Sequence, residues 1–445
     1  MKLRSLSFLV LCGLGAICIL PGAPAFARDD LGRQPHFIVG EIIHNSYDGV
    51  NDDLLTGGVG KTDLQSPIAP AFADAAHPTA AELRRRAIYN NYRALVDMTT
   101  KGGYGVLYGP NIDLNGNDTL GNGKIAGDEY LAYADKGDGH KNVTMMVQIP
   151  ASFDPHNACI VTATSSGSRG VYGAIGTAGE WGLKRGCAVA YTDKGTGNGA
   201  HDLQADTVNL IDGVRQDAVS AGTLSNFTAD LTPAGLAAFN AQTPNRFAFK
   251  HAHSRQNPEK DWGKNTLQAV KFAFFVLNEK FATPADPRPI RRSDTVVIAS
   301  SASNGAGAAI AAAELDEEGL IDGVAVSEPQ IQPKFVKKLA IQRGSNLPFT
   351  GHSKPLLDFF TLANLFQPCA SLSAGVSASP GLFFLNATRA ANRCASLEAV
   401  GLLTGATMPA QADEALAILR ESVWEPESNL LHASNYGTSA TPGVA

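Results

Sequence analysis

The chain has 445 residues, of which 36 are Lys or Arg and 42 Asp or Glu, for a net charge of −6 with 44% hydrophobic residues. That length supports a large core, and the acidic balance argues against nucleic acid or an anionic membrane surface as principal partner, since both are bound through excess cationic side chains. None of the six cysteines falls in a C-x-x-C spacing, which argues against a zinc site, and no motif calls for a cofactor.

Residues 1–27 have the pattern of an export signal. Lys2 and Arg4 precede an apolar stretch from about Leu6 to Leu20, and Ala25-Phe26-Ala27 is a small-x-small cleavage site. The expectation is a secreted protein, extracellular or periplasmic, starting at Arg28 and free of the membrane after cleavage. Removal of the signal takes Cys12 and Cys18 and leaves Cys159, Cys187, Cys369 and Cys394, an even number suited to disulfides in an oxidising compartment. Cys159 and Cys187 each open a predicted strand, and parallel neighbouring strands would bring their Cα atoms about 5 Å apart. The expected pairs are therefore Cys159 with Cys187 and Cys369 with Cys394.

Residues 28–142 form a mixed N-terminal region with one strand, Phe37 to Ile43, and one amphipathic helix, about Ala80 to Asp97. The segment Asn111 to Lys124 resembles the opening of a calcium loop. Asp118 stands where glycine is needed and Lys124 where a bidentate glutamate belongs, so tight turns explain the composition better. From Val143 the pattern changes to alternating strand and helix. Strands are predicted at Val143–Ile149, Cys159–Thr164 and Cys187–Thr192, with a helix from about Tyr172 to Leu183 that stops at Gly186. Repeated units of this kind imply a mostly parallel sheet. Residues of about 195–245 read as an insertion. A helix capped by Asn257 and Pro258 follows, then a strand at Thr295–Ser300, a helix at Ala306–Ala313 and a strand at Leu320–Val326. The core is thus expected at 143–328, and 329–445 reads as a helical, lid-like region without strands.

Between the last two strands lies Ser301-Ala302-Ser303-Asn304-Gly305. A strand, a sharp turn and a helix around a serine present that residue as a nucleophile, with the next N–H, that of Asn304, aimed at a developing oxyanion. Small residues two before and two after the serine are needed because strand and helix pass close together, and Ser301 and Gly305 meet that demand. A plain Ser-Asn-Gly turn is the alternative reading of the pentapeptide alone. The loop Ser165–Gly170 leaves an earlier strand and enters a helix, which makes Gly167 and Ser168 candidates for the second oxyanion donor. Arg169, His251 and His253 are candidates to contact a substrate carboxylate. A serine nucleophile needs a base oriented by a carboxylate. After Ser303 only His352 and His432 are available, and both read as solvent-exposed rather than catalytic.

Several blocks together, namely Ser166–Ile175, Gly186–Gly195, Phe249–Ser254 and Ser303-Asn304-Gly305, with Phe37–Asp53, Ala76–Arg86, Gly102–Gly105 and the tail around Trp424–Glu427, resemble the D-(−)-3-hydroxybutyrate oligomer hydrolases. The resemblance runs through essentially the whole exported chain. It implies an α/β-hydrolase-like fold and a secreted serine esterase that cleaves ester bonds of short 3-hydroxybutyrate oligomers, chiefly the dimer, in polyhydroxybutyrate breakdown, with the nucleophile at Ser303. Two departures accompany it. The family usually has glycine where Ser301 stands, and its members continue past the equivalent of Ala445 into a part that holds the remaining triad Asp and His. The chain is accordingly expected to be truncated, with an incomplete sheet, and the alternative to an active esterase is a catalytically silent fragment.

Overall fold

The computed structural model describes residues 32–167, 169–197, 199–250, 259–331, 334–353, 356–379, 381–422, 424 and 426–437. The expected signal, Ser168, the segment 251–258 with His251 and His253, and the Asn257-Pro258 cap all lie outside the described residues. The chain divides into two compact units, Met1–Gln330 and Ile331–Ala445.

The first unit is built on a seven-stranded sheet. Its strands are β1 (Ile38–Tyr47), β2 (Gly127–Ala134), β3 (Val143–Pro150), β4 (Cys159–Thr164) and β5 (Ala188–Thr192). A smaller antiparallel sheet follows in the chain, from β6 (Ala200–Asp202), β7 (Thr207–Asn209), β8 (Arg215–Asp217) and β9 (Phe247–Phe249). The large sheet is completed by β10 (Val296–Ala302) and β11 (Gly323–Ser327). Its order is β1-β2-β3-β5-β4-β10-β11. The junctions β1/β2, β2/β3 and β3/β5 are antiparallel, whereas β5/β4, β4/β10 and β10/β11 are parallel. A mostly parallel sheet was expected from the βαβ pattern, and the observed sheet is evenly mixed. The difference comes from β1 and β2: residues before Val143, separated from the core in the sequence reading, share the same sheet.

Side-chain alternation places two apolar layers on the two faces of this sheet. Met145, Val147, Ala188 and Ala190 pack with Val270, Phe272 and Phe274 of the helix Trp262–Phe281. Met146, Val189 and Tyr191 pack on the other face with Leu54, Ile88 and Tyr92. The helix Ala80–Leu95 on that second face starts on a capping box, in which the Thr79 hydroxyl accepts from the Glu82 N–H and the Glu82 carboxylate accepts from Thr79. Arg84 of this helix is buried and donates to Glu129 of β2 at 2.9 Å and to Asp52 at 3.0 Å. Glu129, itself fully buried, also accepts from the Tyr172 hydroxyl and from the Gln148 amide.

Both expected disulfides are present. Cys159–Cys187 has a Cα–Cα distance of 4.8 Å and lies one residue before the Ile160↔Ala188 pair of β4 and β5. Cys369–Cys394 spans 4.9 Å and joins the helices Leu356–Ala370 and Ala387–Ala399 of the second unit. With Met408–Glu421 these helices enclose a core that includes Phe366, Leu397, Leu416 and Leu419. No strand occurs after Ser327 among the described residues, apart from an isolated bridge between Ile341 and Phe349. Among the described residues no helix is long and apolar enough to cross a membrane. The Asp113 carboxylate of the calcium-like segment accepts from the Asn115 and Asn117 N–H groups and the Thr119 hydroxyl, so the turn is organised by its own side chain.

Candidate functional site

Ser303 stands between the end of β10 and the helix Ser303–Leu315 with φ of +56°. A non-glycine residue holds that left-handed conformation only when its surroundings impose it, and here the surroundings are backbone. A Cβ on Gly305 would sit 2.4 Å from the Thr164 carbonyl oxygen and 2.8 Å from that of Ser165. A Cβ on Gly307 would sit 2.1 Å from the Gln330 carbonyl. The helix thus enters the crevice at a distance only glycine permits. Ser301, standing where glycine is usual, fits because its buried hydroxyl donates to the Thr164 carbonyl at 2.5 Å. The Ser303 side chain itself is exposed and makes no hydrogen bond among the described residues.

Backbone pairing between β4 and β10 stops short of their carboxyl ends. Their ladder covers only Val296–Ile298 against Cys159–Val161. Beyond it the Thr162 hydroxyl bridges the strands, accepting from the Ser300 N–H at 2.8 Å and donating to the Ser300 carbonyl at 3.0 Å. This gap is where the strand order reverses, since β4 leads to β5 on one side and has β10 on the other. Such a switch point, at the carboxyl ends of parallel strands, is the usual ligand crevice of an open α/β sheet.

Opposite Ser303 lies the loop after β4. Gly167, at φ of +64°, donates its N–H to the Asn304 side-chain oxygen at 2.6 Å. Its carbonyl accepts from the Lys194 ammonium at 2.6 Å and from the Ser165 hydroxyl at 3.1 Å. The structure therefore brings Ser303, Asn304 and Gly167 together, with the Gly167 N–H occupied by Asn304. The Asn304 N–H is in the first helical turn, among the groups that have no intrahelical acceptor. Arg169 is half-buried, donates to the Ser166 carbonyl at 2.8 Å, and has its guanidinium pKa lowered by burial. With Gly170, Tyr172 and Asp193 it lines a cavity of about 660 Å³.

Asp193 and Lys194, on the loop after β5, are not singled out by the sequence. Lys194 is fully buried, with its ammonium 5.2 Å from the centre of the Trp262 ring. The available signal was their place directly after a strand at its carboxyl end. The two histidines that follow Ser303 in the chain correct the expectation of exposure, for both are buried. His352 stacks on Phe335 and bonds the Leu339 carbonyl and the Ser353 hydroxyl. His432 bonds the Gln367 amide at 3.0 Å, and burial lowers its pKa to about 4. Neither has a carboxylate partner among the described residues.

The family model of the 3HB-oligomer hydrolases matches residues 21–445. The D-(−)-3-hydroxybutyrate oligomer hydrolase of Polaromonas naphthalenivorans is 58% identical over 96% of the chain, and that of Burkholderia vietnamiensis 54% over 98%. The protein of the same name from Paraburkholderia xenovorans is 56% identical over 92%. The chain spans 61%, 64% and 59% of the lengths of these three relatives. No solved structure matches it. The chain belongs to the 3HB-oligomer hydrolase family.

Proposed function

We propose that this chain carries the nucleophile of a secreted serine esterase that hydrolyses 3-hydroxybutyrate oligomers, chiefly dimers, and that its large sheet is an α/β-hydrolase core. In this reading the Ser303 oxygen attacks the ester carbonyl, and the tetrahedral oxyanion is held by the Asn304 N–H and by a donor of the loop at Gly167. Collapse breaks the ester bond and releases one 3-hydroxy acid through its hydroxyl, which takes up a proton in place of the one the Ser303 hydroxyl lost on attack. Water then cleaves the acyl-serine, freeing the second acid and restoring the Ser303 hydroxyl. The chemistry needs no cofactor, and both disulfides suit an oxidising compartment. The chain spans 61% of the length of the Polaromonas naphthalenivorans relative, and the activity proposed is that of the whole protein.

The observation that carries this reading is the strained, exposed Ser303 at the switch point. The test is labelling with a fluorophosphonate, located by mass spectrometry, beside hydrolysis of the hydroxybutyrate dimer by the chain and by Ser303→Ala. Label on Ser303 and a loss of about 10³-fold or more in the variant are expected. Equal hydrolysis by both chains would remove Ser303 from the chemistry.

A further inference from the structure

We propose that the first unit has a second pocket, separate from the Ser303 crevice, that binds a short-chain carboxylate. A cavity of about 780 Å³ opens beside the amino-terminal half of the helix Trp262–Phe281, and neither Ser303 nor the Ser165–Gly170 loop lines it. In a chain of net charge −6, its wall carries six lysines against three carboxylates. Two of those lysines are near a carboxylate that lines the same cavity, Lys271 with Glu318 at 2.5 Å and Lys260 with Asp261 at 3.9 Å. Lys136, Lys141 and Lys264 are exposed and have no ion pair among the described residues.

The sixth, Lys250, sets this pocket apart from a basic surface. It is only 7% exposed, and its ammonium donates to the backbone carbonyl of Asn142 and is in ion-pair contact with no carboxylate among the described residues. Two carboxylates face it at longer range, Asp193 and Asp135. Each accepts from backbone N–H groups: Asp193 from Gly195, and Asp135 from Gly137 and Gly139. A buried ammonium whose carboxylates stand only at longer range is incompletely neutralised, and an anion bound in the cavity would give it a direct ionic contact. Phe37, Val143 and Leu267 add apolar wall among the lysines, which suits an acid with a hydrocarbon part better than an inorganic anion. Identifying that acid with the product 3-hydroxybutyrate rests on the proposed function, whereas carboxylate binding itself does not.

Calorimetric titration of the whole chain carrying Ser303→Ala, which cannot turn substrate over by that route, tests the proposal. The ligands are D-3-hydroxybutyrate, its methyl ester, butyrate and inorganic phosphate, at low and high salt. Saturable one-site binding of 3-hydroxybutyrate is expected, weakening with salt, with the uncharged ester at least about tenfold weaker. Adding Lys141→Gln and Lys264→Gln, both exposed, should weaken binding about tenfold or more without lowering Tm, and Lys250→Met should abolish it. The proposal is overturned if the ester binds as well as the acid, if the exposed double variant binds unchanged, or if phosphate binds as tightly as the carboxylates. Butyrate binding without 3-hydroxybutyrate binding would keep the pocket and remove only its link to the product. A failed Ser303 labelling leaves these outcomes untouched.

Discussion

The hydrogen bond from the Ser301 hydroxyl to the Thr164 carbonyl shows how one residue can depart from a sequence pattern and still satisfy its steric reason. Glycine is usual there because the helix must pass close, and serine fits because its buried hydroxyl finds an acceptor in the Thr164 carbonyl. The same scale describes the loop at Gly167. The Gly167 N–H is capped by the Asn304 side chain; in the proposed mechanism, an oxyanion would take the place of that amide oxygen. Asn304→Ala removes that cap and should cost about 1 kcal/mol of stability in denaturant titration, while kcat for dimer hydrolysis is retained. A loss of about 100-fold or more in kcat would instead make the side-chain amide itself an oxyanion donor. At this scale the sequence showed Ser303 and the Gly167 loop through their turn chemistry. It hid Lys194, because a buried lysine held by a carbonyl and an aromatic ring leaves no periodic trace.

Among the elements, those with continuous apolar runs were legible and those held by polar networks were not. The strands β3, β4, β5, β10 and β11 fall within a few residues of their predicted positions; β3, β4 and β5 are buried on both faces and read as unbroken apolar runs, and the partly exposed β10 and β11 keep short runs of Val, Ile and Ala. β2 was missed because it opens on Gly127, Asp128 and Glu129, a start that resembles a turn. Glu129 is nonetheless fully buried, and only the three-dimensional partners Arg84, Tyr172 and Gln148 make that possible. The short strands β6 to β9, three residues each, carry too little pattern to be seen at all. The helix Ala80–Leu95 is fastened to β2 by the Arg84–Glu129 pair, so Arg84→Met should destabilise the protein by about 3–5 kcal/mol by leaving a buried carboxylate unpaired. Combining it with Glu129→Gln should recover part of that loss. A cost below about 1 kcal/mol for the single variant, read by denaturant unfolding, would show that the pair does not hold the helix.

For the whole molecule the two units, each with its own core and disulfide, call for separate readings of stability. The second contains His432, whose folded pKa of about 4 lies below its ordinary 6.5 because burial disfavours the imidazolium. Between those values the unfolded chain binds the additional proton, so stability is full above about pH 6.5 and is lost as pH falls towards 4, by up to about 3 kcal/mol. Thermal unfolding of the chain across that range, compared with His432→Gln, should show the slope in the parent and a flatter profile in the variant. A parent profile as flat as the variant's would contradict the burial of an uncharged ring. The strands β4 and β10 are laddered at their starts and joined further on through the Thr162 and Ser301 hydroxyls, and the bond Cys159–Cys187 ties β4 to β5 at the starting edge. The end of the sheet that carries Ser303 is therefore stitched by hydroxyl groups rather than by backbone pairing, whereas the covalent cross-link sits at the opposite end, between β4 and β5.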